Sequence, residues 1–207
     1  MASSPSASAE ALPPSKPRIY LLPLGAELPD EDTALVERAL GAFYAVEVKK
    51  LGHVELPDSA LNAARQRYRA EKLLALLERH VPSDAFRILG LTAADISTTK
   101  GNIADWGILG LATLDGKACV ISRFRTARGT RTAEAARIRF AKTAVHEIGH
   151  TLGLEHCPHR GCLMEDARGT VFTTDREYDL CPDCRLRLKR AGHALTGPEV
   201  EIPWPRP

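Results

Sequence analysis

The sequence predicts an α/β (α+β) fold, in which a mixed β-sheet is covered by helices and is followed by a small part ordered by its cysteines. Short apolar runs rich in strand formers alternate with segments whose apolar residues recur every three to four positions. An Asp-Gly pair between two apolar runs is typical of a β-hairpin. Four cysteines cluster after residue 156, where apolar residues are few, so a core alone is not expected to order this end.

The first half of the chain predicts alternating strands and helices. The apolar run 19–24 predicts a first strand, and residues 30–41 predict a helix that an aspartate at 30 or 32 caps. Residues 43–56 begin with the β-like FYAVEVKKL and predict a second strand. Leucines at helical spacing predict a helix over 58–80, and residues 86–91 predict a third strand.

The middle of the chain predicts a polar loop followed by a hairpin. Residues 92–102 are mostly polar and are expected to form the loop. The strand-like runs 106–114 and 117–124 flank Asp115 and Gly116, a pair that favours a two-residue turn. We interpret the arginines that follow as a solvated connector, with a patch for an acidic ligand as the alternative. These arginines are Arg123, Arg125, Arg128 and Arg131.

A third predicted helix covers about residues 132–152, and it has two functional faces. One face carries an apolar stripe that is expected to pack on the core. The stripe consists of Ile138, Ala141, Val145, Ile148 and Leu152. His146 and His150 lie roughly 100–140° around the helix from this stripe, at about 100° per residue. The helix can therefore bury one side and present its histidines to a cleft.

Residues 146–156, HEIGHTLGLEH, contain the most informative pattern in the chain. His146 and His150 are four residues apart, so on a helix they lie on one face and can bind one zinc ion. Glu147 is the candidate general base that takes a proton from a zinc-bound water. The alternative is a surface helix with solvated histidines, but this requires five fixed positions to match by chance.

His156 can supply a third zinc ligand only if the helix ends before it. A continuous helix would carry it roughly 15 Å beyond His146, whereas zinc–nitrogen bonds are about 2.0–2.1 Å long. Gly153 allows the chain to turn, because glycine readily takes the left-handed conformation that ends helices. Three histidines would leave one position open for water, which is typical of catalytic zinc.

A second metal site is predicted from four cysteines spaced C-x4-C-x18-C-x2-C, namely Cys157, Cys162, Cys181 and Cys184. Four thiolates fill a tetrahedral zinc and leave no open position, so this site is expected to be structural. The sequence thus predicts two zinc ions per chain. Disulfides, an iron–sulfur cluster or a redox role of Cys181 and Cys184 are the alternatives. We assign no ligand role to His159, and we interpret Cys119 as a buried small side chain.

Composition limits the partners and the location of the protein. The chain has 207 residues, 26% of them charged, and a net charge of +2, so no nucleic-acid partner is expected. No apolar run reaches the 18 residues that predict a transmembrane helix. Residues 1–17 are rich in Ser, Ala and Pro, and they predict a disordered tail rather than a secretory signal. We therefore expect a cytoplasmic protein without a membrane partner, and a monomer.

These motifs resemble a known family. The pattern HExxHxxGxxH followed by a methionine is similar to the signature of the metzincin metallopeptidases, and Met164 lies where that clan has its Met-turn. The cysteine directly after His156 and the later pair Cys181 and Cys184 look like the archaemetzincins. Sixteen residues separate Met164 from Cys181, one fewer than in the family pattern. The resemblance covers residues 145–184.

The resemblance implies a metzincin-like zincin with an upper subdomain, residues 18–153, and a small zinc-stabilised lower subdomain, residues 154–207. It implies a zinc metallopeptidase acting on peptide or protein substrates, with Glu147 as the catalytic residue. It also implies that the histidines of the motif hold the catalytic zinc, that the four cysteines hold a structural zinc, and that Met164 forms the base below the histidines. Some metzincins place a tyrosine near the zinc after the methionine. Here Glu165 and Asp166 follow, and Tyr178 is interpreted as a packing residue rather than a transition-state helper.

Two classes of function compete at this point. The first is hydrolysis of peptide bonds. The second is a zinc-stabilised binding module that docks nucleic acid or a protein partner through basic residues near 185–190, but it leaves Glu147 and Gly153 unexplained. For the peptidase, an apolar run without charges is the candidate edge strand on which an extended substrate adds, although an interior strand is the alternative. This run is Gly107, Ile108, Leu109, Gly110, Leu111 and Ala112.

Overall fold

The computed structural model describes residues 16–206, so the predicted tail lies outside the described residues except for its last two positions. Within this range the chain forms nine strands and six helices. The strands are β1 (Arg18–Leu24), β2 (Glu47–Lys50), β3 (Leu61–Asn62), β4 (Arg67–Arg69), β5 (Ala85–Thr92), β6 (Ile96–Lys100), β7 (Ile103–Gly107), β8 (Gly110–Ala112) and β9 (Ala118–Ser122). The helices are α1 (Asp30–Phe43), α2 (Ala70–Arg79), α3 (Arg123–Thr126), α4 (Ala133–Thr151), α5 (Thr173–Arg176) and α6 (Pro182–Arg190).

The main sheet has five strands in the order β2-β1-β5-β9-β8, and only β8 is antiparallel to its neighbour. Helices cover both faces of this sheet, and the side chains of β1 show why, because successive side chains of a strand point to opposite faces. Ile19 and Leu21 pack with residues of α1 and α4, whereas Tyr20 and Leu22 pack with residues of α2. The mixed α/β fold predicted from the sequence is confirmed.

A smaller sheet, in the order β3-β4-β6-β7, corrects two sequence predictions. The helix predicted over 58–80 begins only at Ala70, because residues 58–69 form a 3-10 turn and the short β3–β4 pair. The loop predicted over 92–102 contains β6, which pairs with β4 and β7. The outer half of β6 is exposed, so its polar sequence ISTTK reflects solvent contact rather than a loop.

Two further elements differ from the predictions. The second strand is limited to Glu47–Lys50, because α1 continues to Phe43 and the Tyr44 N–H still donates to the carbonyl of Leu40. The predicted hairpin is present as β8 and β9, but its connection is longer than two residues. The Thr113 N–H donates to Ala118 O at 3.1 Å, and Asp115 takes a φ of 51° within the loop.

The C-terminal segment returns to the first helix. The Ala45 N–H donates to Ala194 O, and the Trp204 ring stacks on Phe43 with a centroid distance of 5.6 Å. Leu163 and Leu188 belong to the same hydrophobic cluster as the buried residues of α1 and α4. The hydrophobic core therefore continues across residue 153, the expected boundary between the upper and lower subdomains. Of the helices within residues 16–206, none is long and apolar enough to cross a membrane.

Candidate metal centres and active-site cleft

The helix α4 carries the first predicted site. It begins after Thr132, whose hydroxyl accepts a hydrogen bond from the Ala135 N–H at 3.1 Å, as expected for an N-cap. It ends in a Schellman motif, because the Gly153 N–H donates to His150 O and the Leu154 N–H donates to Gly149 O. Gly153 has a φ of 84°, so the turn predicted at this glycine is present. The chain then reverses and brings His156 back towards the helix.

The first two histidines present unprotonated nitrogens to each other. The Nδ1 atoms of His146 and His150 each lie against a backbone carbonyl, of Leu163 at 2.7 Å and of Leu154 at 2.6 Å. A carbonyl accepts a hydrogen bond, so both Nδ1 atoms carry the proton and both Nε2 atoms have a free lone pair. These Nε2 atoms are 3.0 Å apart. Two facing lone pairs repel, and a cation held between them would remove this repulsion, so the arrangement suits a metal site.

The third histidine completes a set that fits zinc. The His156 ring lies 5.4 Å from the His146 ring and 4.8 Å from the His150 ring, measured between centroids. One nitrogen from each of the three lies within 4.8 Å of the others. Nitrogen ligands of a tetrahedral zinc lie about 3.3 Å apart, so these side chains need little movement to hold one. Burial lowers the pKa of His146 to about 3 and also lowers the pKa of His150. Both imidazoles are therefore neutral near pH 7, and each has a nitrogen lone pair that a metal ion can accept.

Glu147 lies beside this histidine group and packs against the edge of the main sheet. Its side chain is buried, with 6% exposed, and makes no hydrogen bond within residues 16–206. Burial raises its pKa to about 8, so it can accept and release a proton near neutral pH. A Cβ on Gly110 would lie 2.5 Å from the Glu147 Oε1 atom. Glycine at this position of β8 therefore makes room for the Glu147 carboxylate.

The four cysteines form the second group. Their sulfur atoms lie within 4.8 Å of one another. Cys157 and Cys181 have sulfurs 3.6 Å apart, and Cys162 and Cys184 have sulfurs 3.8 Å apart, close to the roughly 3.8 Å between two sulfurs on one tetrahedral zinc. A hydrogen bond with the Cys184 thiol, together with backbone N–H donors, lowers the pKa of Cys162. The group thus fits a four-thiolate zinc.

Met164 links the two metal groups. It is fully buried, and a Cβ on Gly149 would lie 2.5 Å from its Sδ atom, so the methionine lies directly below the helix turn between His146 and His150. Its carbonyl accepts the Cys157 N–H at 2.7 Å. Tyr44 supports the same turn, because its buried hydroxyl donates to Val145 O at 2.8 Å. Sequence reasoning missed Tyr44, since it is 101 residues from its partner and has no motif around it.

A cleft of about 1000 Å³ runs beside the histidines. The predicted substrate strand, residues 107–112, lines it but is divided between the two sheets. Gly107 belongs to β7, where it pairs with Ser97, and the Ile108 N–H donates to Ile96 O. Gly110–Ala112 form β8, the outer strand of the main sheet. Its glycines are covered by other side chains, because the Arg125 side chain lies over Gly107 and Glu147 lies over Gly110.

Several other residues singled out in the sequence lie outside the histidine group. Tyr178 does not line the cleft, and Arg206 packs over its ring at 4.9 Å. His159 lies beside the thiols, with Nδ1 3.5 Å from the Cys157 sulfur. Cys119 is fully buried in the core, as predicted. In the basic segment, Arg123 and Arg125 are not solvated, because they form ion pairs with Asp32 and Asp95 at 2.5 Å.

Comparisons with known proteins agree on one family. The sequence pattern of the group described as Peptidase family M54 matches residues 43–190. An archaemetzincin from Halobacterium salinarum is 31% identical over 176 residues, which are 81% of this chain and 97% of that protein. The crystal structure of archaemetzincin from Methanopyrus kandleri superposes with a TM-score of 0.73 at 29% identity, covering 85% of this chain and 95% of that one. The archaemetzincin structure from Archaeoglobus fulgidus gives a TM-score of 0.69 at 31% identity, covering 82% and 99%.

Proposed function

Because this chain belongs to peptidase family M54 and is a zinc metallopeptidase, we propose that it hydrolyses peptide bonds through a water molecule that Glu147 activates. One observation carries the proposal. Glu147 is buried and unpaired beside two histidines whose free Nε2 lone pairs converge to 3.0 Å. This places a carboxylate that can take up a proton next to a group that can hold zinc.

Each residue of the site has a separate role in the proposed reaction. A zinc ion held by the three histidines would polarise the scissile carbonyl and acidify the attacking water. Glu147 takes the proton from that water and delivers it to the leaving amine. The carbonyls of Leu163 and Leu154 hold the histidine rings in the tautomer and orientation that binding requires. Met164 packs below them and limits their movement.

We further propose that each chain holds two zinc ions. The second ion, in the four-cysteine group, has no open ligand position and serves the fold alone. Metal analysis of freshly purified protein should return about two zinc ions per chain, and His150→Ala should return about one. A single zinc in the parent, with its thiols unreactive because they are paired as disulfides, would contradict the proposal. Cysteines that bind zinc or stay unpaired, rather than forming disulfides, suit a reducing compartment, so we propose a cytoplasmic location.

The substrate is proposed to bind as an extended strand beside β8. Leu109 O accepts the Ser122 N–H and the Thr113 N–H donates to Ala118 O, so in the antiparallel register Leu111 makes the bonds to β9. The N–H and C=O groups of Gly110 and Ala112 therefore point away from β9, towards the cleft. A peptide can add to this free edge through main-chain hydrogen bonds, with its scissile carbonyl near Glu147.

Removing one outward donor should weaken substrate binding. Ala112→Pro deletes an N–H that is not used by β9, and proline is tolerated on such edge strands. Gly110→Pro is a poorer test, because its ring would meet Glu147. We expect Ala112→Pro to raise the KM for a peptide by about 2- to 10-fold, since one hydrogen bond contributes about 0.5–1.5 kcal/mol. Ala112→Gly, which keeps the N–H, is the matched comparison. An unchanged KM in a folded, zinc-loaded Ala112→Pro protein would exclude this placement of the substrate.

A further inference from the structure

Glu177 is a buried carboxylate in the cleft that the proposed chemistry does not use. It follows α5, lines the cleft and is only 2% exposed. The other acidic residues with comparable burial have evident roles, because Asp32 pairs with Arg123 and Arg137, and Glu147 lies beside the histidines. The Glu177 carboxylate forms no hydrogen bond or ion pair with any residue in the described range 16–206.

The surrounding cations do not neutralise Glu177. Burial raises its pKa to about 8, and the field of Lys142 lowers this only in part. The Lys142 ammonium donates to the backbone carbonyls of Thr174 at 2.9 Å and Glu177 at 2.5 Å, and Lys142 does not line the cleft. Arg176, the preceding residue in sequence, is paired with Glu165. Glu177 thus lines the cleft with a carboxyl group that has no partner among the described residues, and burial disfavours its charged form.

Glu177 shares its cleft with the reacting groups. Lys142 attaches the backbone of Glu177 to α4, and Lys142 precedes His146 by four residues, which is about 6 Å along a helix. Thr143, on the next position of α4, lines the cleft as well. Glu177 and the three histidines therefore line one cleft, and the backbone of Glu177 is tied to the helix that carries His146 and His150. A side chain next to the scissile bond of a peptide bound in that cleft can approach Glu177.

We propose that Glu177 determines specificity, and that it selects substrates with a lysine or arginine side chain at a position flanking the scissile bond. The inference rests on the proposed peptidase function and names its substrate class. The cationic head would donate charge-assisted hydrogen bonds to the Glu177 carboxylate, which has no such donor among the described residues. A neutral side chain of the same length would leave the carboxylate buried and unpaired, and would bind less well.

The first test compares peptides that differ only in one side chain. Zinc-loaded protein is given three matched peptide series, with lysine, norleucine or N-acetyl-lysine at the positions on either side of the cleaved bond. At one of these positions we expect kcat/KM for lysine to exceed that for the two neutral analogues by about 10- to 100-fold, as for a charge-assisted hydrogen bond in a desolvated site. Equal rates for all three, or a preference for a neutral polar side chain, would overturn the proposal.

The second test changes the protein. Glu177→Gln keeps the size of the side chain, and we expect it to abolish the lysine preference while norleucine peptides are still cut at rates within about threefold of the parent. Glu155→Gln is the matched control, because Glu155 lies on the cleft rim but is exposed, and exposed charges contribute little to binding. A lysine preference that persists in Glu177→Gln would overturn the assignment.

A binding measurement separates the specificity inference from the peptidase function. In Glu147→Gln protein, where cleavage is removed, lysine peptides should bind about 10-fold tighter than norleucine peptides. Adding Glu177→Gln should make the two affinities equal. If the parent cuts no peptide but this difference in binding is present, the proposed chemistry fails and the recognition of a basic side chain stands. Equal affinities in the presence of Glu177 would refute the recognition itself.

Discussion

Replacing Glu147 with alanine is expected to reduce kcat for peptide hydrolysis by about 100- to 10,000-fold, the range that positioned general bases contribute. The protein should nevertheless fold and keep its zinc. Glu147 is not a ligand in the proposed site, and its side chain makes no hydrogen bond within residues 16–206, so its loss leaves no polar group unpaired. Steady-state kinetics and metal analysis on the same preparation measure both effects.

Two variants control this experiment. Glu147→Gln preserves the packing against Gly110 and removes only the ability to take a proton, so it should be as inactive as the alanine variant. Glu134→Ala changes a carboxylate in the first turn of the same helix, remote from the histidines, and should keep parental activity. If Glu147→Ala retains turnover while its zinc content is unchanged, another group is the base.

Cys181→Ser is expected to destabilise the protein more than His156→Ala. We expect Tm to fall by about 10 °C for the cysteine variant and by less than about 4 °C for the histidine variant, since 1 kcal/mol shifts Tm by about 2–4 °C at this size. The reason is the role of each residue in the fold. The four cysteines come from the chain after α4, the Met164 turn and the start of α6, so the proposed zinc would hold these segments together, whereas His156 is exposed at the cleft.

Loss of the proposed structural zinc should also disturb the histidine group proposed to hold the catalytic zinc. Cys157 directly follows His156, and Leu163, which orients His146 through its carbonyl, adjoins Cys162. Cys181→Ser should therefore lower catalytic zinc content as well as Tm. His159→Ala is the control, because His159 lies beside the thiols without an assigned ligand role, and its Tm should stay within about 2 °C of the parent. Equal melting temperatures for Cys181→Ser and the parent would show that the four-cysteine zinc does not order this segment.

The sequence alone determined the features that depend on residues close to one another in the chain. The apolar stripe of α4 follows from the helical period of 3.6 residues, and the turn at Gly153 follows from the conformational freedom of glycine. The candidate ligand sets follow from the spacing of the histidines and cysteines. Each of these depends on residues within a few turns of chain. For this reason the mixed fold and the family were evident before any contact between distant residues was known.

Only the tertiary structure decided what depends on residues that are far apart in sequence. β6 is polar because its outer half faces water, and it is a strand because β4 and β7 lie beside it. The run 107–112 divides because its first residues pair with β6 and its last with β9. Gly110 accommodates a carboxylate from α4, and Lys142 of the same helix donates to the backbone carbonyl of Glu177, which lines the cleft. These contacts arise from packing between separate elements, and no local pattern in the chain encodes them.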